Sequence, residues 1–284
     1  MGLLKTERIL VNVDFTRASE SAILHGLEMS IIFKRELTLL HVYNKKNPKL
    51  FFNYSKENAE IIISGIISKI KEVNKNIKIT GIVRAGKLSE VVNIVAKDIN
   101  AIMVVIGIPL QAEGQIRKAG RAIKIMRDSR IPYLMVQEKF PIENGYKNVV
   151  LPLDASREYK EKVLWASYFN RFYNSKIHIL IPKSKDAELQ YKINANERFT
   201  DKVFDDFEVE RVKYNVEGSV YDIDKISIDY AYKIKAQLVI IMNTAFYSLF
   251  DYIAGPPEKT LIVNKFQIPV LCINPRDDLY VMCV

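Results

Sequence analysis

Apolar and polar positions alternate in blocks along the first half of the chain. Residues 9–13 form a continuous apolar-biased run, which suits a strand covered on both faces. After it Ala18, Ala22, Ile23, Gly26, Leu27 and Ser30 recur at helical spacing, and Thr16 is placed to cap the first turn. Residues 37–42 give a second strand, 43–54 a long loop, and 55–73 a helix with Ile62, Ile66 and Ile70 four apart. Residues 77–83 predict a third strand, 88–98 a third helix and 102–106 a fourth strand. Residues 115–128 predict a fourth helix, with Ile116, Ala119, Ile123 and Met126 on its buried face, and 133–136 a fifth strand. Strand and helix in alternation imply an α/β fold, a parallel sheet with helices on both faces joined by right-handed crossovers. Ligands of such sheets bind outside the strand carboxyl ends, at the topological switch point.

The second half repeats the first. "RILVNVDFTRASESAI" from Arg8 resembles "NVVLPLDASREYKEKV" from Asn148, and the two apolar runs end in Asp14 and Asp154, an offset of 140. "ELTLLHVYN" pairs with "SKIHILIPK" at the same offset, and "RIPYLMVQ" with "QIPVLCIN", which sets Pro132 opposite Pro269. A further segment, "VRAGKLSEVVNIVAKDINAIMVVIGI", pairs with "NVEGSVYDIDKISIDYAYKIKAQLVIIMN" through a short insertion. Four matched segments in one order point to a duplicated domain. The Pro- and Gly-bearing stretch 138–148 reads as the link. The domains are therefore expected at 1–140 and 145–284, with residues 182–207, rich in charge and aromatic groups, covering the second sheet as a loop and helix.

Charge separates the halves. Residues 1–143 carry 23 Lys and Arg against 14 Asp and Glu, whereas residues 144–284 carry 19 of each, so the whole net charge of +9 lies in the first half. Uniform basicity would suggest nonspecific polyanion binding; this asymmetry suggests different surfaces instead. No apolar stretch reaches the roughly 20 residues of a membrane span. The start "MGLLKTERILVNVDF" lacks the pattern of a secretory signal. Neither Cys272 nor Cys283 has a metal-spaced partner, and Cys272 in "IPVLCIN" reads as a buried small hydrophobe. A cytoplasmic location is expected.

The residues now assembled resemble the universal stress protein family: an apolar strand ending in Asp and a Ser/Thr-bearing turn into a helix, as in "ILVNVDFTRASESAI"; the run Leu39-Leu40-His41-Val42; a Gly before the third helix, as at Gly86 and Gly218; and a Pro before the last strand, as at Pro132 and Pro269. The resemblance covers nearly the whole chain, twice. It implies a tandem form with two Rossmann-like domains, each with five parallel strands in the order 3-2-1-4-5. It also implies that two such domains pair, here within one polypeptide, with a homodimer as the further option.

ATP-binding members of that family resemble one another in a loop written Gly, two residues, Gly, nine residues, Gly, then Ser or Thr. Glycines let backbone amides approach phosphate oxygens, and the following helix start adds unpaired donors. On the first copy Gly107 and Gly120 match, while Leu110 and Arg121 replace the second Gly and the hydroxyl residue, and Pro109 removes a donor. On the second copy Met242, Ala245 and Pro256 replace three positions and only Gly255 matches, so that copy is expected to be degenerate. The candidate nucleotide contacts are Asp14, Val42, Gly107, Gly120 and Arg121. Arg121 could bind phosphate in bidentate fashion. With Arg117, Lys118, Lys124, Arg127 and Arg130 it could equally form the solvated face of the fourth helix, or meet a polyanionic partner; nucleic acid is disfavoured, because no aromatic platform is interleaved with the charges. Asp14 could orient a ligand or accept backbone hydrogen bonds in its own turn. His41, at a strand end, reads as a satisfied, partly buried histidine before a ligand contact.

Catalysis has little to stand on. The three histidines, His25, His41 and His178, are accompanied by no nucleophile elbow and no His/Glu metal pair, and Asp205-Asp206 and Asp277-Asp278 read as solvated loop charges. Of the aromatic residues late in the second copy, Tyr221, Tyr230, Tyr232, Phe246, Tyr247, Phe250 and Tyr252, most are expected to be core and some could form an interface. The expectation is a non-enzymatic, cytoplasmic stress-response or signalling scaffold with no cofactor and a protein partner. The alternatives are an ATP or AMP sensor using the first domain only, and a hydrolase of the related nucleotide-binding superfamily.

Overall fold

Runs of Val, Ile and Leu become strands buried from end to end, because each lies in a sheet whose faces are both covered. The computed structural model describes residues 6–43, 55–110, 122–126, 129–141, 145–217, 222–243 and 261–274. They form two units, Met1–Pro141 and Ile142–Val284, called here domains 1 and 2. Domain 1 runs β1 (Arg8–Asn12), α1 (Arg17–Phe33), β2 (Glu36–Tyr43), α2 (Lys56–Val73), β3 (Ile79–Ala85), α3 (Leu88–Asp98), β4 (Ala101–Gly107), a helical stretch at 122–126, and β5 (Tyr133–Val136). Domain 2 runs β6 (Asn148–Pro152), α4 (Tyr159–Tyr173), β7 (Lys176–Pro182), α5 (Ala187–Asp206), β8 (Arg211–Val216), α6 (Ile223–Lys233), β9 (Leu238–Met242) and β10 (Val270–Ile273).

Within domain 1 the strand order is β3-β2-β1-β4-β5, all parallel. Within domain 2 it is β8-β7-β6-β9-β10, also parallel, so each copy has the order 3-2-1-4-5. The chain steps from β1 out to β3, then crosses back to β4. Right-handed crossovers therefore place the helices before and after that reversal on opposite faces. In register, Asn12 lies beside Leu40 on β2 and Ile106 on β4, so the carboxyl ends of β1, β2 and β4 converge where the order reverses.

The helix α1 starts where Thr16, extended at φ −88°, accepts the Ser19 amide, and ends at Lys34 in the left-handed region at φ 54°. Of the predicted pattern Ala18, Ala22, Ile23, Gly26 and Ser30 are buried and Leu27 is half-buried, and Met29 and Phe33 join them inside. Gly26 lets α1 lie close on the sheet, since a Cβ there would stand 2.4 Å from Val11 Cγ2. In domain 2 Cys272 is wholly buried on β10, as its apolar context predicts.

Two expectations shift. The third strand begins at Ile79 rather than residue 77, because the Ile77 amide closes a turn onto the Asn74 carbonyl after α2. The segment 182–207 is a short loop and then a helix, as expected, but the helix is long, Ala187–Asp206, with Ile193, Asn196, Thr200 and Phe204 as its buried stripe. Asp205 and Asp206 consequently end a helix instead of sitting in a loop, and Asp205 is 2.5 Å from the Arg211 guanidinium. Of the predicted fourth helix, residues 122–126 are helical with Ile123 and Met126 buried, and the rest lies outside the described residues, as do Cys283 and Asp277-Asp278.

Candidate functional site

The end of β1 in domain 1 builds a tight turn from its own side chains. Asp14 Oδ1 accepts the Thr16 amide at 3.1 Å and the Thr16 hydroxyl at 2.5 Å, and Thr16 Oγ1 in turn accepts the Ser19 amide at 3.3 Å. Between them Phe15 adopts φ 60°, a conformation that costs a residue with a Cβ about 1 kcal/mol. Asp14 thus fills the turn role, while its Oδ2 has no hydrogen bond among the described residues.

The neighbouring strand supplies His41, 3% exposed. Its Nδ1 lies 2.8 Å from the Val13 carbonyl, so Nδ1 carries the proton and donates. The ring stacks on Phe15 with centroids 4.5 Å apart. Burial holds His41 below the usual histidine range, against the pull of the Val13 bond and the Asp14 charge. Val42 follows it, half-buried, next to the end of β2.

Gly107 ends β4 and answers a packing demand. A Cβ at this position would lie 2.2 Å from the Ala18 carbonyl oxygen and 2.6 Å from the Ser19 nitrogen, so the strand end touches the backbone of the first turn of α1. The repeat confirms the trade. Where Met242 stands opposite Gly107, Arg157 stands opposite Arg17, and α4 begins two residues beyond Arg157, at Tyr159.

After Gly107 the loop turns its donors away from solvent. Pro109 has no amide hydrogen, and the Leu110 amide donates to Glu138 Oε1 at 3.0 Å. The amide of residue 110, where the family's nucleotide loop has its second Gly, therefore meets a carboxylate of the same domain. Gly120 and Arg121 lie outside the described residues, as do Arg117, Lys118 and Arg127. The structure thus brings together Asp14, Val42 and Gly107 at the convergence of three strand ends. An open cavity of about 400 Å³ in domain 1 lies elsewhere, lined by Ser30, Lys34, Glu36, Asn74 and Lys78 near the amino ends of β2 and β3.

The corresponding place in domain 2 is filled. Asp154 Oδ1 accepts the amide and hydroxyl of Ser156, as Asp14 does with Thr16. Asp154 Oδ2, however, is 2.5 Å from Lys162 Nζ, and that ammonium also donates to the Pro152 carbonyl at 2.7 Å. Lys162 is 1% exposed, and stands where domain 1 has Ala22. From α5, Asn196 Nδ2 donates to the carbonyls of Asp154 and Ser156 at 2.8 and 2.9 Å. Tyr159, wholly buried, is pinned by the Thr200 hydroxyl at 3.2 Å, and burial pushes its phenol up. Sequence reasoning missed Lys162 because a lysine on a helix reads as solvated. The one available signal was a lysine two turns beyond Asp154 where the first copy has a buried alanine.

The other histidines are also held as neutral bases. His25 Nε2 lies 3.2 Å from the Lys139 carbonyl, to which it donates, and burial lowers it to about 4. His178 Nε2 donates to Asn148 Oδ1 at 3.1 Å, leaving Nδ1 to accept from the Tyr230 hydroxyl at 3.4 Å. Burial and the nearby Lys176 lower it, and Glu210 opposes them. Of the late aromatics, Tyr230 is half-buried and Tyr232 is exposed, stacked on Phe266 at 3.8 Å, while Tyr221, Phe246, Tyr247, Phe250 and Tyr252 lie outside the described residues. Among the described residues no group of three His, Cys, Asp or Glu side chains could hold a metal ion, and no helix is long and apolar enough to cross a membrane.

Comparison with known proteins agrees with this architecture. Residues 5–137 match the model of the universal stress protein family. The fold is similar to that of a universal stress protein from Archaeoglobus fulgidus DSM 4304, with a TM-score of 0.74 and 17% identity over 95% of this chain and 97% of that one. It is also similar to a functionally unknown protein from Pseudomonas aeruginosa PAO1, with a TM-score of 0.62 and 13% identity over 97% and 95% of the two chains. No curated protein matches the sequence.

Proposed function

We propose that this chain, whose first domain belongs to the universal stress protein family, acts as a non-catalytic scaffold of the cytoplasmic stress response and works through contact with a protein partner. One observation carries the reading: the Leu110 amide, which would have to face a phosphate, donates to the Glu138 carboxylate. A carboxylate at that point repels the same oxygens that the loop would have to gather. Pro109 beside it offers no amide hydrogen in compensation. The histidines support the non-enzymatic part: His41 Nδ1 and His25 Nε2 are spent on backbone carbonyls and His178 on Asn148 and Tyr230, and the Ser21 hydroxyl near His25 donates to the Lys139 carbonyl rather than to the ring.

The test is to purify the full chain without added nucleotide, denature it with acid and assay the supernatant by chromatography. The scaffold reading expects no adenine nucleotide above background. One equivalent of ATP or AMP per chain would overturn it.

A second reading, a sensor in which domain 1 binds ATP or AMP through Asp14, Val42, Gly107, Gly120 and Arg121, is favoured by one contrast. Asp154 in domain 2 is neutralised by Lys162, whereas the Oδ2 of Asp14 has no hydrogen bond among the described residues and faces no lysine at Ala22. Under that reading the same assay returns nucleotide from the parent chain and none from Gly120→Trp.

A further inference from the structure

We propose that domain 2 contains a primary-ammonium site at the carboxyl end of β6, and that the chain fills this site permanently with its own Lys162. The site has three walls. The Pro152 carbonyl accepts from Nζ at 2.7 Å, Asp154 Oδ2 accepts at 2.5 Å, and the Tyr159 ring presents its face with the centroid 4.9 Å from Nζ. Two oxygen acceptors and an aromatic face suit the three donors and compact charge of an ammonium.

Each wall is held from behind. Ser156 fixes the other carboxylate oxygen through its amide and hydroxyl. Asn196 fixes the carbonyls of Asp154 and Ser156. Thr200 fixes the Tyr159 phenol. The carboxylate, although 22% exposed, is therefore held in orientation when its cation is removed, and the cage persists as a preorganised acceptor set.

The occupant's chemistry follows from the cage. A divalent metal ion of the calcium or magnesium kind needs six or more oxygens, against two among the described residues here. A quaternary ammonium has no N–H to give the two acceptors. A primary ammonium meets all three walls. The site is peculiar to domain 2, because the repeat position of Lys162 in domain 1 is Ala22. The consequence is asymmetry between the copies: the acceptors at the end of β6 are taken by a tethered cation, whatever domain 1 binds. This inference stands apart from the scaffold reading, and its test does not involve nucleotide.

The test is chemical rescue in the full chain. Lys162→Ala deletes three methylenes and the ammonium, the atoms of n-propylammonium. Trp165, the single tryptophan, lies one turn further along α4 and reports the unfolding of domain 2 by fluorescence. Lys162→Ala is expected to lower that transition by about 10 °C, because a carboxylate is left without its buried partner. Propylammonium is expected to recover a large part of the loss, with no effect on the parent chain and none from tetramethylammonium at equal ionic strength. A parent-like transition in Lys162→Ala, or equal responses to the two salts, would overturn the proposal. Should Lys162→Ala not fold, Lys162→Met is compared with the double variant Lys162→Met, Asp154→Asn. The proposal requires the double variant to melt well above the single one, and equal melting would refute it.

Discussion

Gly107→Ala is expected to destabilise domain 1 by about 3 kcal/mol, the upper part of the range for overpacking in a tight interior. The added Cβ would meet backbone, at 2.2 Å from the Ala18 carbonyl oxygen, rather than the movable end of a side chain. Relief would require the first turn of α1 to lift from the sheet. That turn is tied at its start by Thr16 Oγ1 to the Ser19 amide and by Asp14 to Thr16, so the strain would spread to the β1 turn. Domain 2 shows the other solution, in which Met242 is tolerated and the helix starts later. Hydrogen exchange of the β1 and α1 amides measures the loss in domain 1 without interference from domain 2. Protection unchanged within about 0.5 kcal/mol would mean that the strand end does not touch the helix backbone.

The histidines are also expected to contribute a stabilisation that is lost in mild acid, and His25 carries the largest share. Its folded-state value of about 4 lies below the ordinary 6.5 because the ring is buried. The unfolded chain takes up a proton as the pH falls through 6.5, while the folded chain resists until about 4. The stabilisation is thus complete above 6.5 and is lost across that window, amounting to about 3 kcal/mol for a difference of this size. His41 and His178, also lowered by burial, act in the same direction. Glu28 opposes them: burial raises it to about 7 from 4.5, so its contribution is full below 4.5 and fades as the pH rises through 7. Comparing urea unfolding of the parent and His25→Asn across pH 4 to 7 isolates the His25 part. The parent curve should fall more steeply toward acid, and parallel curves would refute the assignment.

Much of this architecture was legible before any coordinates. The strands β1, β2, β4 and β5 are apolar on both faces, and an unbroken run of Val, Ile and Leu allows few other readings. The edge strand β3 was displaced because its outer residues, Thr80, Arg84 and Ala85, are exposed and carry no apolar pattern. The long helix α5 was only half visible because its buried stripe includes Asn196 and Thr200, polar residues engaged in hydrogen bonds. At the site, the Asp14 turn and the Thr16 cap followed from local chemistry that sequence spacing displays. The Glu138 contact did not, since 28 residues separate Glu138 from Leu110 and only the pairing of β4 with β5 brings them together. Gly107 was legible as a glycine of close approach, but the partner it approaches is a helix backbone, which the sequence does not specify.

The two domains share one physical theme. At a strand end of each, a polar group is spent on the chain itself, the Leu110 amide on Glu138 in domain 1 and Asp154 on Lys162 in domain 2. Calorimetric titration of the full chain with ATP, and separately with AMP, tests this most directly. The account predicts no saturable heat from either nucleotide. Saturation at one nucleotide per chain with micromolar affinity would contradict it.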